Sequence, residues 1–319
     1  MKRVLQVIII LCILPCVHGF AQQNPLYDQY IFNPYLINPA YAGCKDHTPV
    51  RLSARQQWKD FEGAPSTYQF SFHKRIIEGN KHRGVFNKKA HAFGGQLYSS
   101  VKGPYALTGF GLTYAYHIPF EKNILSMGTT FSYQQYRIKV NKLTTTLAQD
   151  PALTNDLSPI PIYDADFSVM LYKPQKYSFS ASLLQMARSI VKFDEDIKTS
   201  DSRMDKILAL HGGLRLFEND FLSFEPSILI LAKPLNNFEK EIHFNGKVVM
   251  SNAIKKYNNE EIEMVFSYRT TKAFVVGVHF KMDKFVLGYA YEYDYNKIYS
   301  YSAGTHQVVI GYNFEKMGR

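Results

Sequence analysis

The side chains best suited to catalysis or metal binding occur in this sequence without the spacing that such chemistry requires. Ten histidines are present, but there is no His-Glu-x-x-His motif, no paired Cys-x-x-Cys, no Gly-x-Ser-x-Gly turn and no glycine-rich phosphate loop. His117, His211, His279 and His306 fall inside predicted strands, where an interior or interfacial position is the more common role. We therefore predict no catalytic residue, no cofactor and no metal. A serine hydrolase built into a barrel is the enzymatic alternative.

Two charged stretches are further candidates for binding. Carboxylate oxygens of the kind that calcium prefers occur together in one predicted outer loop, at Asp194, Glu195, Asp196 and Asp201. Basic side chains cluster around an inner connection, at Lys74, Arg75, Lys81, Arg83, Lys88 and Lys89. The acidic group is also typical of a solvated loop. The basic group either lies in a solvated turn or contacts an acidic periplasmic partner.

The N-terminus is typical of an export signal. Lys2 and Arg3 precede an apolar run at 4–17, which is too short to span a bilayer comfortably. Gly19 and Ala21 place small residues at the two positions that a signal peptidase recognises. Residues 1–21 are therefore predicted to be a cleaved signal peptide. A lipoprotein signal at Cys16 is the alternative, although the proline before it occupies a position that favours a small residue.

Export limits the partners of the mature chain. After cleavage, 35 of the 37 basic residues face 27 acidic ones, a net charge of 35 − 27 = +8. A basic protein attracts acidic partners, and outside the cytoplasm these are lipid phosphates and lipopolysaccharide rather than nucleic acid. Cys44 is the one cysteine left, so no internal disulfide is expected.

Alternation of apolar and polar residues is the main signal after residue 50. Phe110 and Leu112, for example, alternate with Gly111 and Thr113, as expected for side chains on opposite faces of a strand. Fourteen such segments are predicted, at 50–58, 66–75, 92–101, 106–118, 123–137, 162–173, 176–184, 207–217, 221–231, 242–250, 261–269, 273–281, 284–294 and 304–314. The 23 Tyr and 23 Phe suit aromatic girdles. We predict an all-β fold, a transmembrane antiparallel β-barrel of about 14 strands over 50–314.

The predicted connections differ in length between the two sides. Short ones fall on the side of the N-terminus, taken as periplasmic, and the long ones at 138–161 and 185–206 fall on the other. This asymmetry is typical of outer-membrane barrels, whereas a soluble β-sandwich has no reason to show it. Two connections break the rule, because the one at 76–91 is long on the inner side and the one at 270–272 is short on the outer side. The predicted number of strands could therefore differ by one hairpin.

Residues 22–49 precede the barrel and form a leader rich in proline and aromatic residues. Each proline removes a backbone donor and keeps its predecessor extended, which excludes a helix. We expect an ordered segment that lies at the periplasmic mouth or folds into the lumen. A disordered tail is the alternative, but it would carry fewer aromatic residues.

The first strand and the loop after it supply the candidate site. Arg55 and Gln57 should face the opposite way from Trp58, which would suit the interfacial belt. We predict that an outer rim in this region contacts a secreted partner, through Arg55, Gln57, Trp58, Phe61, Gly63 and Pro65.

Several segments at the two ends of the mature chain carry a specific pattern. They are 27–34 (YDQYIFNP), 38–43 (NPAYAG), 55–65 (RQQWKDFEGAP), 291–294 (YEYD) and 302–306 (SAGTH). In them the chain resembles the PorP/SprF family of outer-membrane proteins, which serve the type IX secretion system. The central region matches in pattern alone, and the lysine-rich connection departs from it.

The resemblance implies a non-enzymatic component of the type IX system of Bacteroidota, located in the outer membrane. Such a component supports the secretion or surface retention of cargo such as adhesins, and in some members gliding motility. The implied partners are the periplasmic ring, other type IX components and secreted cargo with a type IX C-terminal domain, and the family supplies no catalytic residues. A general or substrate-specific porin is the alternative function.

Overall fold

The computed structural model describes residues 30–78, 86–139, 159–187, 205–217, 219, 221–234, 239–251, 260–295 and 300–314. Fourteen antiparallel strands form one closed barrel, which confirms the predicted fold and strand count. The strands are β1 (Thr48–Gln56), β2 (Ser66–Ile77), β3 (Ala90–Lys102), β4 (Tyr105–Phe120), β5 (Asn123–Ile138), β6 (Ile160–Lys173), β7 (Tyr177–Leu184), β8 (Ile207–Leu214), β9 (Leu222–Lys233), β10 (Glu239–Ser251), β11 (Glu260–Arg269), β12 (Ala273–Met282), β13 (Phe285–Asp294) and β14 (Thr305–Phe314).

The first and last strands close the barrel. β1 pairs with β14 in a continuous register from Thr48 opposite Phe314 to Gln56 opposite His306. Each strand therefore has two hydrogen-bonded neighbours and the sheet has no free edge. Closure meets the requirement that backbone polar groups facing hydrocarbon be paired within the protein.

The two faces of the wall follow the alternation in the sequence. Leu112 and Phe131 point outward and are 63% and 65% exposed, while Thr113 and Thr130 point inward and are buried. Exposed aromatic side chains lie near both ends of the wall, for example Tyr163. The outside is thus an apolar surface rich in aromatic residues, and the inside is polar.

The barrel has two distinct ends. The inner end carries both termini of the sheet and the short connections at 121–122, 174–176 and 283–284; the opposite end is called the outer end. The two irregular connections are real, because 78–89 joins β2 to β3 at the inner end and 270–272 joins β11 to β12 at the outer end. The predicted signal peptide lies outside the described residues. Within the described part of the chain, no helix is long and apolar enough to cross a bilayer.

Residues 30–47, the described part of the leader before the barrel, lie inside the lumen. Two single 3₁₀ turns occupy Pro34–Leu36 and Pro39–Tyr41, each with a proline at its first position. Asn33 and Asn38 precede the prolines and do not cap the turns with their side chains. Their amides instead reach the wall, where Asn33 Nδ2 donates to Ser71 Oγ at 2.7 Å.

The second turn is bonded to the wall through its backbone. Ala40 N donates to Ser168 Oγ at 2.6 Å, and Ser126 Oγ donates to Ala40 O at 2.8 Å. Gly43 accepts from Arg75 Nη1 at 3.1 Å and donates to His73 Nδ1 at 3.0 Å. The polar lumen thus pairs the backbone groups that an irregular, buried segment would otherwise leave unsatisfied.

Small residues of the wall make room for the leader. A Cβ added to Gly128 would lie 2.5 Å from Ala40 N. Gly43 of the leader has φ +74°, and its Cβ would lie 2.5 Å from the Cβ of Ala92. Neither position tolerates a side chain without movement of the backbone.

Cys44 follows this tight segment and is a natural reporter for it. The thiol is buried among Ala40, Ile124, Met170 and Tyr172. Burial, which disfavours the thiolate, raises the pKa of Cys44 to about 11. At neutral pH the thiol is therefore both covered and protonated.

Replacing Gly128 with alanine should loosen the leader, because the new Cβ would meet a backbone atom of Ala40. We expect Cys44 of the mature protein to react with a maleimide at least about tenfold faster in this variant, equivalent to about 1.4 kcal/mol less protection. The control is Gly212→Ala, whose Cβ faces the ring of Phe179 at 3.3 Å on the outside of the wall. It should leave the rate unchanged.

The pH profile of the same reaction is the second readout. The thiolate is the reactive form, so with a pKa of about 11 the wild-type rate should still be rising at pH values where free thiols have levelled off. A thiol released to water should reach a plateau above about pH 9. Identical profiles for Gly128→Ala and the wild type would contradict the contact.

Candidate functional site

The candidate site is the loop at 57–65, here called the rim loop, which joins β1 to β2 at the outer end. Gln57 N donates to Pro65 O at 2.8 Å, and Phe61 N donates to Trp58 O at 3.0 Å, so the loop closes on itself. Positive φ angles at Trp58 (49°), Asp60 (71°) and Gly63 (72°) bend the chain sharply. The rim loop is a compact turn rather than an extended arm.

The position of Trp58 differs from the prediction. β1 ends at Gln56, and the positive φ of Trp58 turns its indole inward rather than toward an interfacial belt. Its Nε1–H donates to Asp294 Oδ2 at 3.0 Å, and Asp294 is a buried lumenal residue at the end of β13. The alternation of a strand does not apply to Trp58, because β1 ends two residues earlier. The predicted orientation of Trp58 toward the interfacial belt was therefore wrong.

A buried ionic cluster lies below the rim loop, inside the outer half of the lumen. Glu292 Oε2 lies 3.2 Å from Arg55 Nη2 and 3.1 Å from Arg269 Nη1. Arg55 Nη1 also donates to Gln57 Oε1 at 2.9 Å. All four side chains are at most 5% exposed, so this cluster holds the outer end of β1 against β11 and β13.

The rim loop is also bound to the loop between β13 and β14. Lys59 N donates to Gly304 O at 2.8 Å, and Ala303 N donates to Lys59 O at 2.9 Å. Gly304 has φ +85°, and a Cβ there would lie 2.5 Å from the hydroxyl of Tyr291. On the other side, Gly103 N donates to Gly63 O at 2.9 Å.

These contacts divide the six predicted partner-binding residues. Phe61, 41% exposed, and Gly63 lie at the surface of the outer end. Trp58 is half-buried, and its ring makes an edge contact with Phe61. The remaining three, Arg55, Gln57 and Pro65, are buried and position the loop.

The predicted basic stretch does not form one patch. Arg75 points into the lumen and is bonded to the leader, while Lys74 faces outward on the same strand. Strand alternation separates the two neighbours, so the interpretation of Lys74 and Arg75 as one binding surface is wrong. Lys81 and Arg83 lie outside the described residues, as does the acidic loop proposed for calcium, at Asp194, Glu195, Asp196 and Asp201.

No group of three metal-ligating side chains occurs in the described ranges. His117 and His279 are buried in the lumen, and His211 lines a cavity there. His306 Nδ1 lies 2.7 Å from the hydroxyl of Tyr289, on the outward face.

Sequence reasoning missed the acidic half of the cluster. Glu292 and Asp294 alternate with the aromatic residues of β13 and point into the lumen. Because both residues lie far from Arg55 and Trp58 along the chain, no local sequence pattern predicts these pairs. Closure between β1 and β14 is the signal that brings them together, because β13 is then two strands from β1.

Comparison with solved structures shows that outer-membrane barrels share this fold. The barrel is similar to CymD, a monoaromatic hydrocarbon channel, with 8% identity, a TM-score of 0.51 and 94% of each chain covered. It is also similar to the toluene transporter TbuX of Ralstonia pickettii, with 12% identity, a TM-score of 0.50, and 88% of this chain and 92% of TbuX covered. At these identities the likeness concerns the fold. No curated sequence matches this chain.

The sequence itself matches a family over almost its whole length. Residues 19–312 match the family described as type IX secretion system membrane protein PorP/SprF. The match includes the described leader, the rim loop and the segments of β13 and β14 that contact it.

Replacing Glu292 with glutamine should destabilise the barrel strongly, because two buried guanidinium groups would each lose an ion-pair partner. We expect the free energy of unfolding in urea to fall by about 3–5 kcal/mol. The control is Glu261→Gln, whose carboxylate pairs with Lys281 at 3.0 Å, with both side chains about a third exposed; it should cost less than about 1 kcal/mol. Equal losses would show that Arg55, Arg269 and Glu292 do not form an essential cluster.

Proposed function

We propose that this chain, which belongs to the PorP/SprF family of type IX secretion system membrane proteins, is a non-enzymatic subunit that acts through the two ends of its barrel. In the outer membrane it supports the secretion of cargo, or its retention at the cell surface. Adhesins, including those used for gliding motility, are the proposed class of cargo.

The observation that supports this role is the occupied lumen. Residues 30–47 fill the space that a diffusion channel needs, and they are bonded to the wall along their length, from Tyr30 on Asn245 to Gly43 on His73. The surfaces left for a large partner are the rim at the outer end and the turns at the inner end. A porin, the alternative function, requires a continuous aqueous path.

Each surface has a proposed partner. The rim loop contacts secreted cargo with a type IX C-terminal domain, through Phe61 and Trp58, while Arg55 and Gln57 fix its shape. The inner end contacts the periplasmic ring and other type IX components. The apolar outer wall contacts lipid and, at its basic margins, lipopolysaccharide.

Replacing the apolar side chain of Phe61 with a charged one tests whether the rim loop contacts cargo. In a strain that carries Phe61→Lys as its one copy, we expect the surface-bound fraction of the dependent cargo to fall about fivefold, the effect of losing about 1 kcal/mol of contact. Mass spectrometry of surface, medium and periplasmic fractions measures this. Met186→Lys is the matched control, because Met186 is 37% exposed just after β7, across the barrel from β1. The role fails if deleting the whole gene leaves every secreted protein in place.

Solute flux separates this role from that of a porin. Liposomes containing the wild-type protein should swell in small sugars little faster than empty liposomes, because the leader occupies the lumen. A variant lacking residues 22–46 should swell faster if it keeps the barrel fold by circular dichroism. Rapid swelling with the wild type would favour the porin instead.

A further inference from the structure

The leader runs through the lumen in one direction. Strand β4, which descends from the outer end to the inner end, shows this direction. Tyr35 Oη lies 2.6 Å from Thr113 Oγ1 in the middle of β4. Further along the leader, Ala42 O accepts from His117 Nε2 at 2.7 Å, and His117 is closer to the inner end of β4 than Thr113 is. The leader therefore descends from the outer half of the lumen toward the inner end.

The last part of the leader lies at the inner end. Cys44 packs against Ile124 and Tyr172. Ile124 is the second residue of β5 and Tyr172 is the last residue but one of β6, and both positions are at the inner end of the barrel. The sheet then begins with Thr48, also at the inner end. The C-terminal part of the leader is thus fixed where the chain enters the wall.

The first described residue of the leader, Tyr30, lies at the outer end. It packs in a buried apolar cluster with Leu184, the last residue of β7, and Ile207, the first residue of β8. Both positions are at the outer end of the barrel. The ring of Tyr30 also lies 5.4 Å from the ring of His243, which is directly opposite Arg269, the last residue of β11. Tyr30 is therefore at the level where the strands end.

The position of Tyr30 limits the path of the chain before it. With the predicted cleavage after Ala21, residues 22–29 precede Tyr30 in the mature protein, and they lie outside the described residues. A segment of this length spans at most about 26–29 Å. The outer opening is next to Tyr30, whereas the inner opening is almost the whole length of β11 away. A return to the inner end would require nearly full extension alongside the leader.

We propose that the mature N-terminus leaves the barrel at the outer end. Residues 22–29 then lie on the cell-surface side of the outer membrane, although the sheet itself begins at the inner end. This exit is close to the rim loop, because Tyr30 lies beside His243 and His243 is paired with Arg269. Arg269 belongs to the buried ionic cluster that supports the rim loop. Residues 22–29 and the rim loop are therefore two parts of one outer surface.

The partner of this enlarged surface is the secreted cargo assigned to the rim loop, and this part of the inference rests on the proposed function. Tyr27 is the aromatic residue of the segment 22–29. Tyrosine is enriched among the residues that contribute most to protein–protein binding, because it buries a large area and also offers a hydroxyl. Tyr27 is therefore the side chain of this segment that we assign to the contact with cargo.

Thiol labelling of intact cells tests the exit of the N-terminus. Gln23→Cys is combined with Cys44→Ser, so that the mature protein carries a single thiol. The probe is a maleimide on a long polyethylene glycol chain, which is too large to pass through porins and retards the labelled protein in a gel. We expect Gln23→Cys to be labelled in intact cells, and permeabilisation of the outer membrane to raise its labelling by less than about twofold.

Two exposed positions calibrate the labelling in the same Cys44→Ser background. Glu62→Cys in the rim loop should behave like Gln23→Cys, whereas Lys284→Cys in an inner turn should gain at least about tenfold on permeabilisation. If Gln23→Cys reacts only after permeabilisation, the N-terminus is periplasmic and the proposal is wrong. If it reacts only after unfolding in urea, the N-terminus is inside the lumen and the proposal is equally wrong. The mobility of unheated samples in a gel confirms that each variant forms a closed barrel.

A change in the same segment tests the contact with cargo. Tyr27→Ser should lower the surface-bound fraction of the dependent cargo about fivefold, while Gln23→Ser, the matched control, should not. Unchanged retention in cells with Tyr27→Ser would contradict the contact. If deleting the whole gene leaves every secreted protein in place, the proposed function fails, but the labelling of Gln23→Cys still decides where the N-terminus lies. The two proposals therefore fail separately.

Discussion

The structure depends on how the interior of a 14-stranded barrel is filled. Side chains alone fill a barrel of about eight strands, and wider barrels need a second element or hold water. Here residues 30–47 are that element, and the wall is shaped to them. Gly128 and Ala92 provide space, and Ser126 and Ser168 pair with the backbone of Ala40. Leader and wall are therefore two parts of one core, although one precedes the barrel in the sequence.

The same interior sets the geometry of the outer surface. Glu292 binds the buried guanidinium groups of Arg55 and Arg269, and Asp294 binds the indole of Trp58. These bonds connect the first strand to the last strands of the chain, so they form only when the barrel has closed. The rim loop above them is bent by positive φ angles and bound on both sides. Its exposed face is small, but its position is fixed by buried charge.

The sequence was sufficient to predict the barrel wall, because the alternation that marks a strand is a local pattern. A period of two identified all fourteen strands, and the unequal connections indicated the two ends. It was insufficient where contacts join distant segments. Arg75 was grouped with Lys74 by proximity, yet adjacent strand residues point oppositely, and Arg75 holds Gly43. Trp58 was given a strand face, yet β1 stops at Gln56. The pairing of Glu292 with Arg55 required closure, which no single segment encodes.

A filled lumen also limits how this barrel can work. Moving the leader out would exchange the bonds of Ala40 and Gly43 to the wall for bonds to water, and each exchange costs about 0.5–1.5 kcal/mol. Several such losses together would make spontaneous opening rare. In a diffusion channel this space holds water, whereas here it holds a segment that is bonded to the wall. A rigid interior suits a protein that presents fixed surfaces at two ends, because a partner bound at either end then meets a preorganised site.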